Sequence, residues 1–212
     1  MESCKLQRKY VFDGIQRLLH AWIGFLVLGL IVLGWIGKGM DAGEWHLRLV
    51  QWHITLGYGL IVGLVLRWIW GFIGPEEARL SRLFPSSRRL WGHEPLASLA
   101  YLFLYGVLLL AAISGLVLAA IQYDRGPWAE RFFDDFTWHA LASFVHESVL
   151  YISTLFILLH IGALIFHEKE RGYPLAQAML SGYQYRPLTQ EYPAHEKSHS
   201  FDSHVQQPSD QG

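Results

Sequence analysis

Apolar and polar residues fall along this chain in long blocks rather than residue by residue. Four apolar blocks occupy about 15–37, 49–74, 96–121 and 140–167. At 1.5 Å of rise per residue, each can cross roughly 30 Å of hydrocarbon as a helix. The third, LASLAYLFLYGVLLLAAISGLVLAAI, has no polar stripe at helical spacing, so a buried amphipathic helix of a soluble protein does not account for it. No barrel-like alternation is present, and an unpaired backbone in lipid is too costly for any other span. The pattern predicts an all-α fold: a four-helix transmembrane bundle over 15–186, between a polar segment at 1–14 and a polar tail at 187–212. That tail, PLTQEYPAHEKSHSFDSHVQQPSDQG, is rich in Pro, Ser and Gln and reads as disordered. No internal repeat alters this division.

Composition sharpens the picture. The 212 residues are 52% hydrophobic and 17% charged, with a mean hydropathy of +0.22. That length suits one domain, and the apolar excess exceeds what an ordinary soluble surface carries. Nine tryptophans and 15% aromatic residues suit membrane–water belts or a flat ring ligand. A formal net charge of −1 excludes nucleic acid as a partner, because phosphate binding needs a clustered basic face. Cys4 is the sole cysteine, so the chain forms no internal disulfide, and without Cys-x-x-Cys-His it attaches no haem covalently. The first fourteen residues lack a short apolar region with a small-residue cleavage site, so no removable signal peptide is expected.

Basic residues set the expected orientation. Thirteen of the seventeen lie in the N-terminal segment, the second connection and the tail: Lys5, Arg8, Lys9, Arg17; Arg67, Arg79, Arg82, Arg88, Arg89; Lys169, Arg171, Arg186, Lys197. Lys38, Arg48, Arg125 and Arg131 belong to the first and third connections, which also carry Asp41, Glu44, Asp124, Glu130, Asp134 and Asp135. The bias predicts both termini on the cytoplasmic side.

Ionisable side chains inside spans are costly, and they usually mark function. Four histidines lie well inside apolar surroundings: His20, His53, His146 and His160. His146 and His160 are fourteen residues apart on the fourth span. Fourteen steps of about 100° return to within about 40° of the starting direction and rise about 21 Å. Both therefore point into the bundle, one near each face of the membrane. His20 lies near the inner end of the first span and His53 near the outer end of the second, so depth pairs His20 with His160 and His53 with His146. Two neutral imidazoles from facing helices are what a six-coordinate haem iron needs, with no position left open. Zinc would gather three or four ligands at one depth, and the closely spaced histidine boxes of a diiron site are absent.

Other residues carry two readings each. Gly24 and Gly57 follow His20 and His53 by four residues, on the same helix face. They either let a porphyrin lie against the helix or, like Gly59 and Gly63, let two helices pack closely. Arg67 follows His53 by fourteen residues; it either pairs with haem propionates at the inner level or snorkels to the inner surface. His46 and His139 precede the outer histidines by seven residues and are interfacial, contacting propionates, a docking partner or water. His167, seven residues beyond His160, is a rival inner ligand. Glu147 is a proton relay or simply reaches water. His93 caps the third span or touches a propionate or quinone. His195, His199 and His204 belong to the solvated tail, with a stray metal as the other reading.

At these residues the chain resembles the bacterial cytochrome b561 / nickel-iron hydrogenase b-type cytochrome family. The likeness covers about 11–185: RLLHAW, QWHITLGYG, LRWIWGFIG, GHEPLASLAY, HESVLYISTLFILLHIGALIFHE and AQAMLSGYQY. Family members often carry tryptophan directly after the first-helix histidine, whereas here Ala21 intervenes before Trp22. The resemblance implies two non-covalent b-type haems held by His20, His53, His146 and His160, in a multi-pass protein of the bacterial inner membrane. It implies exchange of electrons with membrane quinone and with a periplasmic redox partner, such as a hydrogenase or a c-type cytochrome. The alternative within the same resemblance is a free-standing cytochrome that oxidises superoxide or quinol.

Overall fold

The computed structural model describes residues 6–79, 93–130, 136–171 and 176–187. Strand β1 (Leu6–Tyr10) leads into four long helices: α1 (Gly14–Lys38), α2 (Glu44–Ile73), α3 (His93–Tyr123) and α4 (Phe136–Arg171). A single 3₁₀ turn, Glu76–Ala78, follows α2, and a short helix α5 (Ala176–Ser181) and strand β2 (Tyr183–Pro187) follow α4. All four long helices are long and apolar enough to cross a membrane.

Their outward faces agree with that. Phe25, Phe72, Phe144 and Leu158 are between 64 and 74% exposed, and water would penalise each by about 1.5–3 kcal/mol relative to burial. Lipid does not. The protein is a multi-pass membrane protein, and its described residues are all-α apart from one short β ribbon.

The helices overrun the apolar blocks at their ends. Helix α2 begins at Glu44 and α4 covers Phe136–Arg171, because hydropathy marks the hydrocarbon, whereas helical hydrogen bonding continues into the interface. Asp13 starts α1: its Oδ1 accepts from the Gln16 N–H at 2.9 Å, satisfying one of the donors left open at a helix start. Pro75, two residues past the end of α2, cannot continue a helix.

Packing divides the bundle into two hairpins. Helix α1 runs closely along α2, and α3 along α4, while the hairpins touch one another sparingly. Gly63 permits the first close approach: a Cβ there would lie 2.8 Å from Trp22 Cδ1. The Trp22 indole donates to the Gly59 carbonyl at 3.3 Å. The hairpins meet at mid-depth through Leu26 and Val27 of α1, Leu60 of α2 and Leu108 of α3. This apolar plug lies deeper in the bundle than His20 on α1 and His53 on α2.

The ends of the described chain close one end of the bundle. β1 and β2 pair antiparallel, Leu6 opposite Pro187 and Tyr10 opposite Tyr183. The Arg17 guanidinium donates to the Leu180 carbonyl, and the Trp70 indole donates to buried Asp13 at 3.1 Å. Gly182 makes the closure possible: its φ is +84°, and a Cβ would lie 2.9 Å from the Phe12 carbonyl. This ribbon joins residues far apart in sequence, and no local pattern announces it. The expected disordered tail lies, from residue 188 onward, outside the described residues. So do Lys5, Arg82, Arg88, Arg89, Arg131, Lys197 and the three tail histidines.

Candidate cofactor site

A cavity of about 440 Å³ opens between the hairpins in the half of the bundle away from the β ribbon. Small-molecule and cofactor sites typically enclose roughly 300–1,000 Å³. His53 reaches it from α2 and His146 from α4. Their ring centroids are 5.9 Å apart, with the planes at 72°. A metal–imidazole bond of about 2 Å on each side would separate two ring centroids by roughly 6 Å.

The walls are mostly apolar, supplied by residues such as Leu30, Ile31, Ile54 and Leu116. Polar groups collect at the rim. The Lys38 ammonium pairs with the Glu147 carboxylate and donates to Tyr151 Oη at 2.9 Å, joining α1 to α4. Glu147 is therefore partnered by a cation rather than simply reaching water. His46 also lines the cavity, its Nδ1 buried with no hydrogen-bond partner. His139 Nε2 lies 2.7 Å from the side-chain amide of Gln122, another lining residue.

Glycines fall into two groups by what stands opposite them. At Gly59 and Gly63 a Cβ would meet Leu26, Trp22 or Ile23 between 2.8 and 3.4 Å away; these are packing glycines. At Gly24 and Gly57 a Cβ would meet nothing within 4 Å among the described residues. Helix packing therefore does not explain the glycine four residues after each histidine, and Gly57 lines the cavity.

The other pair is more open. His20 and His160 are both exposed, His160 with its ring stacked on Phe156 at 6.2 Å between centroids. The His20 imidazole lies within electrostatic reach of His160 and of Arg67. Arg67 is buried, and its Nη1 donates to the Ala78 carbonyl at 3.3 Å. The turn after α2 folds over it. His167, the rival, lies 3.7 Å from the Glu170 carboxylate. His93 begins α3, and its side chain lies outside the described residues. The structure thus brings together His53 with His146, and His20 with His160 and Arg67.

Two residues of α3 escaped the sequence reading. Ser114 Oγ lies 3.0 Å from His146 Nδ1, and a Cβ on Gly115 would lie 3.1 Å from His146 Cε1. The histidine ring rests directly on the α3 backbone. The only sequence signal is a polar–small pair inside an apolar span, and a serine there usually just bonds back to its own helix.

Residues 11–182 match the family model described as prokaryotic cytochrome b561. The chain belongs to this family. As a cytochrome b561 family member it is a membrane cytochrome of electron transport that binds b-type haem. It is 26% identical to proteins named probable Ni/Fe-hydrogenase B-type cytochrome subunit in Azotobacter vinelandii and in Azotobacter chroococcum mcd 1. Each alignment covers 82% of this chain and 88% of the relative. No solved structure matches.

The residues of this cavity fit a haem. Two imidazoles face each other at a spacing one metal ion can bridge, the walls are apolar, and a glycine leaves open space beside them. Zinc fits less well: no group of three or more His, Cys, Asp or Glu gathers as a metal site among the described residues.

Proposed function

We propose that this cytochrome carries electrons between a periplasmic redox partner of hydrogenase type and the membrane quinone pool, through two b haems at two depths. The observation that carries the reading is the His53–His146 pair, whose ring centroids lie 5.9 Å apart across the cavity; it is supported by His20 and His160, which lie within electrostatic reach of each other at a level about 21 Å of rise away along α4. With two imidazoles holding each iron, no position would be left for a substrate, which favours electron transfer over ligand chemistry. Bound haem supplies a one-electron ferric/ferrous couple. The chain's own residues do the rest: the histidines hold the irons, Gly24 and Gly57 admit the macrocycles, and Arg67 offers cationic donors at the inner level.

Sidedness follows from charge. With thirteen of seventeen basic residues on the side of the termini, that side is cytoplasmic, and the His53–His146 pair faces the periplasm. A partner there is supported by the name of the two relatives, probable Ni/Fe-hydrogenase B-type cytochrome subunit. The quinone site belongs at the inner end, near Arg67, His93 and His160.

Pyridine haemochrome analysis of purified protein tests the central observation: two b haems per chain are expected, and one or none in well-folded material would refute the reading. Reporter fusions test the orientation. Those at Asp41 and Asp124 should report the periplasm, and those after Arg82 and Arg186 the cytoplasm. An inverted pattern would put the His20–His160 pair next to the donor instead.

A further inference from the structure

His146 reaches the outer cavity across α3, where Ser114 meets it. Ser114 is 5% exposed, and its Oγ lies 3.0 Å from His146 Nδ1. A serine hydroxyl has one proton to donate and two lone pairs to accept with. The proton is already committed. Oγ lies 2.6 Å from the Leu110 carbonyl and 3.3 Å from that of Ala111, and a carbonyl only accepts. The hydroxyl therefore presents a lone pair to the imidazole, and the hydrogen between them comes from His146 Nδ1–H. A neutral imidazole protonated at Nδ1 keeps its free lone pair on Nε2. Gly115 lets the ring come this close, since any side chain there would crowd Cε1.

We propose that Ser114 is a positioning residue of the outer haem site: its hydroxyl, oriented by the Leu110 carbonyl, holds His146 in the tautomer that offers Nε2 to iron and makes that imidazole a stronger donor. The inference rests on the reading of His146 as an axial ligand. A hydrogen bond from the distal nitrogen of a metal-bound imidazole raises its basicity. A more basic ligand favours ferric over ferrous iron and lowers the midpoint potential of that haem alone. Nothing comparable follows for the inner haem, whose α4 histidine, His160, lies about 21 Å away along that helix.

The test is a redox titration of the full-length protein, following each haem component separately, in Ser114→Ala, Ser114→Val and Ser114→Thr. Threonine and valine have the same shape and differ in the hydroxyl. Alanine and valine should raise the outer midpoint by the equivalent of about tenfold in the ferric/ferrous ratio, roughly 59 mV for one electron. Threonine should stay near wild type, and the inner component should not move. Loss of the outer haem in alanine and valine, with retention in threonine, would support the same conclusion. An unmoved outer midpoint in alanine and valine, or equal behaviour of threonine and valine, would overturn it. His146→Ala, run alongside, separates the two levels of the argument. Loss of one component there with silent Ser114 variants removes only the role of Ser114. Retention of both components removes the ligand assignment, and this inference with it.

Discussion

Replacing His53 or His146 by alanine should abolish the same one of two haem components, and replacing His20 or His160 should abolish the other. The rings of the first pair face each other 5.9 Å apart across one cavity. The second pair sits within mutual electrostatic reach beside Arg67. Between the levels stands the apolar plug of Leu26, Val27, Leu60 and Leu108, so no side chain can swing from one to the other. Without one imidazole of a pair, only one histidine would remain to hold that haem. Loss of supporting groups around such ligands already costs 10–100-fold in affinity, so loss of the ligand itself should empty the site. Redox titration of the four single variants in membranes reads the pairing directly. If His20→Ala and His146→Ala abolish one and the same component while His160→Ala spares both, then His160 is not a ligand. His167, one further turn pair along α4 and 3.7 Å from Glu170, would then take its place.

The sequence made some of this legible and hid the rest for physical reasons. Four spans follow from hydropathy, since a helix in lipid must be apolar on nearly every face. The histidine levels follow from helical rise, which is the same in any α-helix. What each glycine does was not legible. Gly57 and Gly63 look alike in QWHITLGYGLIVG, yet one faces open space and the other the Trp22 indole at 2.8 Å. Only the position of the neighbouring helix distinguishes them. Arg67 had two readings in the sequence, and spacing could not show that it is buried and donates to the Ala78 carbonyl, because that depends on the turn after α2 folding back over it. Ser114 was silent because its bond to Leu110 is the ordinary one for a serine in a lipid-embedded helix. Its second bond depends on the height of His146 on α4, which residue spacing on α3 cannot give.

Gly57→Leu should yield a stable protein that binds one haem instead of two. Leucine is favoured over glycine in a helix by about 1 kcal/mol, and it suits the bilayer. Without haem nothing opposes it, since a Cβ at this position meets no heavy atom within 4 Å. The branched side chain would instead project into the cavity of about 440 Å³ that His53 and His146 share, filling space a macrocycle needs four residues from one of its ligands. The effect should therefore fall on cofactor content and spare expression. Gly63→Leu is the control with the opposite signature. There the new side chain would strike Trp22 and Ile23, at 2.8 and 3.2 Å from the Cβ alone, so the α1–α2 hairpin should fail to close and protein yield should fall. Haemochrome stoichiometry together with the amount of protein in the membrane separates the two outcomes. Full content of both haems in Gly57→Leu, at unchanged midpoint potentials, would mean that no porphyrin lies against this face of α2. It would also leave the open space beside Gly57 without an occupant, because among the described residues no side chain would come within 4 Å of a Cβ there.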